Sequence, residues 1–110
     1  MSSQAIVYSQ NSRLQIEDGL ELMSHLHLQP GMKVLDLGCG TGYLTSVLAE
    51  RVGETGQVVG IDPDKERIAI ANKTYGSINN VVFKECSAET LTGEELFDVV
   101  FSNYVIHWIN

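Results

Sequence analysis

The sequence predicts an α/β fold, a Rossmann-like doubly wound parallel sheet of about four strands with flanking helices. Short apolar runs alternate along the chain with stretches whose apolar residues recur at helical spacing, which is typical of strand-helix-strand units. Two of these runs, around residues 34–35 and 99–100, have the nearly continuous apolar character of strands that are buried on both faces. With 110 residues, 44% of them hydrophobic and 19% charged, the chain has the size and composition of one globular domain.

The first predicted element is a helix over residues 14–28. Its apolar positions Ile16, Leu20 and Met23 recur at helical spacing, and Pro30 followed by Gly31 ends the pattern. The helix therefore presents one apolar face to the rest of the fold.

The first predicted strand, residues 33–37, runs into a glycine cluster, and a second helix through Leu44 and Val52 ends at Gly53. A second strand covers residues 57–61. The pair Asp62 and Pro63 then predicts a helix start, because Asp can cap the first amides while Pro occupies the first helical position.

This third helix closes at Gly76, and the third and fourth strands are predicted at 81–83 and 97–101. Residues 87–96 are too short and polar for more than a turn or a short helix between them.

The glycine cluster is the first candidate binding site. In an open α/β sheet, ligands bind beyond the carboxyl ends of the strands, and the first strand-to-helix turn needs glycine so that the backbone can approach the ligand. Gly38, Gly40 and Gly42 stand in that turn, with Cys39 and Thr41 between them. A dinucleotide-binding turn would have glycine at the position of Tyr43, so the spacing argues against a nicotinamide cofactor.

Asp62 is the second candidate. It ends the second strand, twenty residues after Gly42, where a carboxylate can accept hydrogen bonds from the two hydroxyls of a ribose. The alternative role is the helix cap described above, and one residue can fill both.

Four motifs together resemble the class I S-adenosylmethionine-dependent methyltransferases, and they come in that family's order: 34–42, 59–62, 86–89 and 97–100. The resemblance implies that S-adenosylmethionine is the cofactor, with the glycine loop against its methionine part, Asp62 on its ribose, and the turn after the third strand at its adenine. The cofactor-binding residues that follow are Asp36, Gly38, Cys39, Gly40, Thr41, Gly42, Asp62, Pro63, Ser87, Ala88, Glu89 and Asn103.

The two ends of the chain carry Tyr8, Leu14, Gln15 and Asp18 on one side and Tyr104, His107, Trp108 and Ile109 on the other. In these residues the chain is similar to juvenile hormone acid O-methyltransferases and their relatives, which methylate small carboxylic acids. The resemblance implies that Gln15 and Trp108 hold the acceptor carboxylate. An ionised carboxylate needs no general base, whereas a hydroxyl or amine acceptor could use His107 as one. The alternative is that Trp108 is a core residue and His107 a surface or interface histidine, so the catalytic residues stay open.

The function predicted from these motifs is methyl transfer to a small molecule, with a carboxylic acid as the candidate acceptor. Its alternative is a module that binds the cofactor or dimerises without turnover. A nicotinamide-dependent oxidoreductase ranks below both.

The composition excludes several other classes of function. The formal net charge is −7 with no basic cluster, so a nucleic-acid partner is not expected. No apolar run has the length of a membrane span and the first ten residues lack the pattern of a secretory leader, so we expect a cytoplasmic protein without membrane contact. Cys39 and Cys86 lack metal-ligand spacing and are expected to be small buried thiols, with neither a metal site nor a disulfide.

Members of the family usually have seven strands, whereas the pattern found here ends after the fourth. Residues 1–110 are therefore expected to form a single partial methyltransferase domain, with the helix 14–28 preceding a cofactor-binding core at 33–103. The fourth strand should then be an open edge next to an apolar tail. Such an edge and tail predict a homo-oligomer, most simply a homodimer.

Overall fold

The computed structural model describes residues 6–8, 16–87 and 97–102. The secondary structure in chain order is β1 Ile6–Tyr8, α1 Ile16–Ser24, β2 Lys33–Leu37, α2 Tyr43–Val52, β3 Gln57–Asp62, α3 Lys65–Tyr75, β4 Val81–Glu85 and β5 Val99–Ser102.

The strands form one five-stranded sheet in the order β1-β5-β2-β3-β4, and all neighbours run parallel. The four predicted strands are present as β2, β3, β4 and β5, and the predicted Rossmann-like α/β class is confirmed. β2 lies between β3 and β5, so its carboxyl end, where the glycine cluster begins, is flanked by strand ends on both sides.

The expected open edge at the fourth strand is wrong. β5 is that strand, and it is paired on both sides: with β2, and with β1 in the register Ile6 to Val99 and Tyr8 to Phe101. The short apolar segment at the amino terminus fills the hydrogen-bonding positions that had been assigned to a second chain. β5 therefore offers no free edge for a dimer, and the tail at 103–110 lies outside the described residues.

The two faces of the sheet carry separate apolar clusters. On one face Val34, Val58 and Phe101 pack with buried side chains of all three described helices, among them Met23 of α1. On the other face the cluster consists of Leu35, Leu37, Val59, Ile61, Val100 and Phe97, with Cys86 packed against it. Because side chains alternate along a strand, Asp36 shares the helix-covered face with Val34.

α1 is shorter than the predicted helix 14–28. It ends at Ser24, and the next turn is closed by a hydrogen bond from the Leu26 nitrogen to the Met23 oxygen, 3.0 Å. Leu26 nevertheless stays buried, so the apolar pattern continued past the helix end. Residues 14–15 lie outside the described residues.

The bounds of α2 follow from its flanking glycines. The helix begins directly after Gly42 and ends before Gly53, whose nitrogen donates to the Ala49 oxygen. Asn80, directly before β4, donates from Nδ2 to the carbonyl oxygens of Ala49 and Gly53, at 2.9 and 2.8 Å. Each of these carbonyls also accepts a backbone hydrogen bond, so the Asn80 side chain adds a second donor and ties the end of α2 to the segment before β4.

None of the helices in the described part of the chain is long and apolar enough to cross a membrane.

Candidate functional site

The glycine loop, residues 38–42, joins the carboxyl end of β2 to α2. Gly38, Gly40 and Gly42 have φ angles of +71°, +58° and +97°, in the left-handed region that side-chain-bearing residues rarely adopt. The predicted tight turn is therefore present, with a backbone conformation that favours glycine at all three positions.

The loop is held against β3 by its backbone. The nitrogens of Gly38 and Cys39 both donate to the Ile61 oxygen, at 2.8 and 2.9 Å. One residue further on, the nitrogen of Gly40 donates to Asp62 Oδ2, at 3.0 Å. The two strand ends that the sequence assigned to the site are thus joined directly.

Asp62 is almost completely buried, with 1% of its surface exposed. Its second oxygen, Oδ1, accepts from the nitrogen of Asp64 at 2.8 Å, and Arg67 Nη1 lies 3.9 Å from Oδ2. A carboxylate oxygen has two acceptor positions, so both oxygens can still accept one further donor each. This is the property that a ribose-binding carboxylate needs.

The helix cap predicted at Asp62 is wrong. α3 begins at Lys65, and its N-cap is Asp64, whose side chain accepts from the nitrogens of Glu66 and Arg67 at 2.9 and 3.3 Å. Pro63 precedes the cap and is exposed. The β3 strand continues through Asp62, so the carboxylate that ends the strand is available to the loop instead of the helix.

The space around two glycines of the loop differs. A Cβ added to Gly42 would lie 2.9 Å from Phe83 and 3.0 Å from Tyr75, so that glycine is needed for packing. A Cβ added to Gly40 would meet nothing within 4 Å. The backbone at Gly40 is therefore open, and a side chain there would fill space that a bound molecule could use.

Asp36 lies beneath the loop and is paired with a residue that the sequence reasoning missed. Thr45 Oγ1 donates to Asp36 Oδ2 at 2.7 Å, and both residues are buried. Burial raises the pKa of Asp36 to about 7, against the lowering effect of the Thr45 hydrogen bond, and the negative charge of Asp62 raises it further. A threonine at a helical position carries no sequence signal of this role.

Cys39 is a buried thiol, as predicted, whereas Cys86 is only half-buried. Burial, followed by the charges of Asp36 and Asp62, raises the pKa of Cys39 above its ordinary value. Its side chain lies close to the backbone of Gly60, where an added Cβ would be 3.0 Å from Cys39 Cβ. Cys39 therefore packs the loop onto β3 as a neutral group and is no nucleophile.

The end of β4 reaches the same place. The nitrogen of Cys86 donates to the backbone oxygen of Asp62 at 3.1 Å, which brings the following residue, Ser87, beside the site in a half-buried position. The structure thus gathers nine of the predicted cofactor residues at one edge of the sheet: Asp36, Gly38, Cys39, Gly40, Thr41, Gly42, Asp62, Pro63 and Ser87.

The remaining candidates fall outside the described residues. They are Ala88, Glu89 and Asn103 of the cofactor set and Gln15, His107 and Trp108 of the acceptor set.

A separate depression of about 840 Å³ lies at the other end of the sheet, lined by residues that include Gly53, Gln57, Tyr75 and Asn80. It shares no residue with the glycine loop, and its position at the amino end of β3 is opposite to where ligands bind in such sheets. We assign the site to the glycine loop because that is where buried carboxylates and open backbone meet.

Comparison with known proteins decides the family. The methyltransferase domain family matches residues 28–110, which include the loop, Asp62 and every described strand except β1. The chain belongs to the class I S-adenosylmethionine-dependent methyltransferases.

One relative of this methyltransferase domain is the malonyl-[acyl-carrier protein] O-methyltransferase of Bacillus anthracis. It is 34% identical over 110 residues, an alignment that covers 96% of this chain and 40% of the relative. The chain spans 37–40% of the length of the curated relatives that match most of it.

Solved structures share the fold. An S-adenosylmethionine-dependent methyltransferase from Aquifex aeolicus superposes with a TM-score of 0.69 at 27% identity, covering 77% of this chain and 47% of that one. Phosphoethanolamine N-methyltransferase 1 of Haemonchus contortus, in complex with phosphoethanolamine and S-adenosylhomocysteine, superposes with a TM-score of 0.68 at 26% identity, covering 79% and 18%. S-adenosylmethionine is the cofactor of this family.

Proposed function

We propose that the protein binds S-adenosylmethionine at the carboxyl ends of β2 and β3 and contributes to methyl transfer onto a small molecule. The residues proposed to hold the cofactor are Asp36, Gly38, Cys39, Gly40, Thr41, Gly42, Asp62, Pro63, Ser87, Ala88, Glu89 and Asn103.

The observation that carries the proposal is the junction between Gly40 and Asp62. A buried carboxylate with acceptor capacity to spare adjoins a backbone segment that has open space above it. Asp62 suits the two hydroxyls of a ribose, and the loop backbone suits the polar amino-acid end of the cofactor. The residues present therefore fit a nucleoside joined to an amino acid.

The bound cofactor supplies a methyl group on a sulfonium centre. With the cofactor bound, this methyl group would pass to the acceptor and leave a neutral thioether. The protein's part is to orient the two reactants and exclude water. Among the described residues, the loop and Asp62 do the orienting.

We propose a carboxylate as the acceptor. A carboxylate is ionised near neutral pH and attacks without a base, and the described part of the site offers no histidine. The relative from Bacillus anthracis is named as an O-methyltransferase. Gln15 and Trp108 remain the proposed contacts to the acceptor, and His107 the proposed base if the acceptor is an amine or hydroxyl.

Binding without turnover is the second candidate. It is favoured by one observation: the chain spans about two fifths of its relatives' length, so residues outside it could complete an acceptor site.

Two measurements on the full chain test both candidates. Calorimetry with S-adenosylmethionine and with S-adenosylhomocysteine should show saturable binding of each. Transfer of a labelled methyl group should then be assayed with a panel of small carboxylic acids, beside amines and alcohols as controls. No binding of either nucleoside at millimolar concentration would disprove the cofactor site, and binding without transfer to any acceptor would favour the second candidate.

A further inference from the structure

Thr45 ties the helix after the glycine loop to the strand before it. It lies in the first turn of α2, none of its surface is exposed, and its hydroxyl donates to Asp36 Oδ2 across 2.7 Å. The strand before the loop and the helix after it are therefore joined by a hydrogen bond between side chains.

The other oxygen of Asp36 has no such partner. Oδ1 accepts no hydrogen bond from any described residue, although only 1% of Asp36 is exposed. A buried carboxylate oxygen without a partner is costly, so an orphaned acceptor beneath a binding loop indicates a donor supplied by the ligand.

The charges around Asp36 specify what kind of donor fits. The titratable groups that interact with it within the described chain are Asp62, at the end of β3, and the neutral thiol of Cys39. Its register neighbours are Gly60 on β3 and Phe101 on β5, and α2 presents Thr45. Arg67 reaches Asp62 at 3.9 Å, but its side chain is 41% exposed. Among the described residues, the floor of the loop thus has two acidic groups and no buried cation, and it favours a cationic ligand group.

We propose that Thr45 is a positioning residue of the cofactor site, whose hydroxyl orients the Asp36 carboxylate so that its remaining oxygen receives the cationic amino group of the ligand. This inference rests on the proposed cofactor site and adds to it a residue and a charge requirement.

A proton linkage follows from this arrangement. Without ligand, burial raises the pKa of Asp36 to about 7, so the group still binds a proton at mildly acidic pH. A cation beside the carboxylate favours the ionised form, so binding below pH 7 must displace that proton. Affinity should therefore rise as the pH increases through about 7, and protons should be released on binding.

Thr45 sets the position of this pH profile. Its hydrogen bond stabilises the charged carboxylate, and loss of the hydroxyl should raise the pKa of Asp36 further. Thr45→Val keeps the shape of the side chain and removes the donor, whereas Thr45→Ser keeps the donor. Thr74→Val makes the same chemical change at an exposed position of α3 and is the matched control.

The experiment is calorimetric titration of the full chain with S-adenosylhomocysteine, which has the amino group and no methyl to transfer. It is run between pH 5.5 and 8.5 in buffers of different ionisation enthalpy, so that protons released on binding are counted. We expect Thr45→Val to weaken binding at pH 7 by roughly tenfold and to move the midpoint of the pH profile upward. Thr45→Ser should retain the wild-type profile, and Thr74→Val should match wild type.

Each outcome decides between the proposals. No binding by the wild-type chain overturns the cofactor site itself. If the wild-type chain binds and Thr45→Val has the same affinity and pH profile, only the role of Thr45 is overturned. The role of Thr45 is also overturned if Thr45→Ser loses affinity as Thr45→Val does. If Thr45→Val does not fold, the wild-type proton count still decides, because binding without proton release between pH 6 and 7 contradicts the pairing of Asp36 with a cation.

Discussion

The backbone nitrogen of Gly40 donates to the carboxylate of Asp62 across 3.0 Å, and this bond joins the two strand ends that form the site. The same carboxylate accepts from the nitrogen of Asp64. Asp62 therefore has a structural task in addition to its proposed contact with the ribose, and the two can be separated by substitution.

Asp62→Ala should lower both stability and affinity. It removes the acceptor of two backbone N–H groups, which should cost about 1–3 kcal/mol in the free energy of unfolding, and affinity for S-adenosylhomocysteine should fall by a comparable amount. Asp64→Ala is the control: loss of the cap of α3 should cost about 0.5–2 kcal/mol of stability and leave affinity near wild type. Denaturant unfolding and calorimetry measure the two quantities. Equal affinity in folded Asp62→Ala and wild type would reduce Asp62 to a structural residue.

Gly40→Ala should abolish binding at a small cost in stability. The left-handed φ of +58° costs a side-chain-bearing residue about 1–2 kcal/mol, while the added methyl group enters the open space above the loop. Gly53→Ala is the comparison, since Gly53 has a φ of +68° and equally empty surroundings but lies at the far end of α2. Its ψ of −177° lies in a region that is essentially restricted to glycine, so Gly53→Ala should lose at least as much stability as Gly40→Ala, yet only Gly40→Ala should lose the ligand. Normal binding by Gly40→Ala would show that the loop is only a turn.

Asp36 should make the unliganded protein less stable as the pH rises from about 4 to about 7. Its pKa is about 7 in the folded protein and 3.8 ordinarily, so over this interval the folded state holds a proton that the unfolded chain has released. The free energy of unfolding should fall by at most about 1.4 kcal/mol per pH unit. Above pH 7 the contribution of Asp36 to this free energy is constant.

Asp36→Asn should flatten this slope, because its amide oxygen can still accept from Thr45 while no proton is exchanged. Asp64→Asn changes a carboxyl to an amide at an exposed cap, where asparagine serves as well, and should retain the wild-type slope. Urea unfolding across the pH range provides the measurement. A wild-type slope in Asp36→Asn would contradict the assignment of the proton to this group.

Removal of residues 1–10 should destabilise the protein and cause it to associate. β1 pairs with β5 over three residues, and its loss exposes a row of unpaired backbone groups on an apolar strand. Removal of residues 1–4 leaves β1 in place and is the control. Light scattering at micromolar concentration, together with denaturant unfolding, should distinguish the two chains. A monomeric longer deletion with wild-type stability would show that β1 contributes little.

The central strands and the glycine loop could be predicted from the sequence because each depends on residues that are close together in the chain. Val34 and Val58 lie in apolar runs of strand length, and three alternating glycines between a strand and a helix have few explanations other than a tight turn near a ligand. Position along the strand then fixed Asp62 at the correct end of β3.

The features that were missed depend on contacts between distant residues. The cap of α3 is Asp64 and not Asp62 because the strand continues one residue past its apolar run, through Asp62. β5 begins at Val99 instead of residue 97. Asp98, directly before it, accepts a hydrogen bond from the Lys33 nitrogen through its side chain, at 2.8 Å. β1 is too short to show a pattern, and only its pairing with β5 defines it as a strand.

The pairing of Ile6 with Val99 also determines when the sheet can be completed. β2, β3 and β4 follow one another with a helix between each pair, so they can assemble as the chain is synthesised. The amino-terminal strand is made first, yet its partner emerges only after every other described element. Of the described strand pairs, β1 and β5 are the furthest apart in the sequence, so their pairing has the largest entropic cost and should form last.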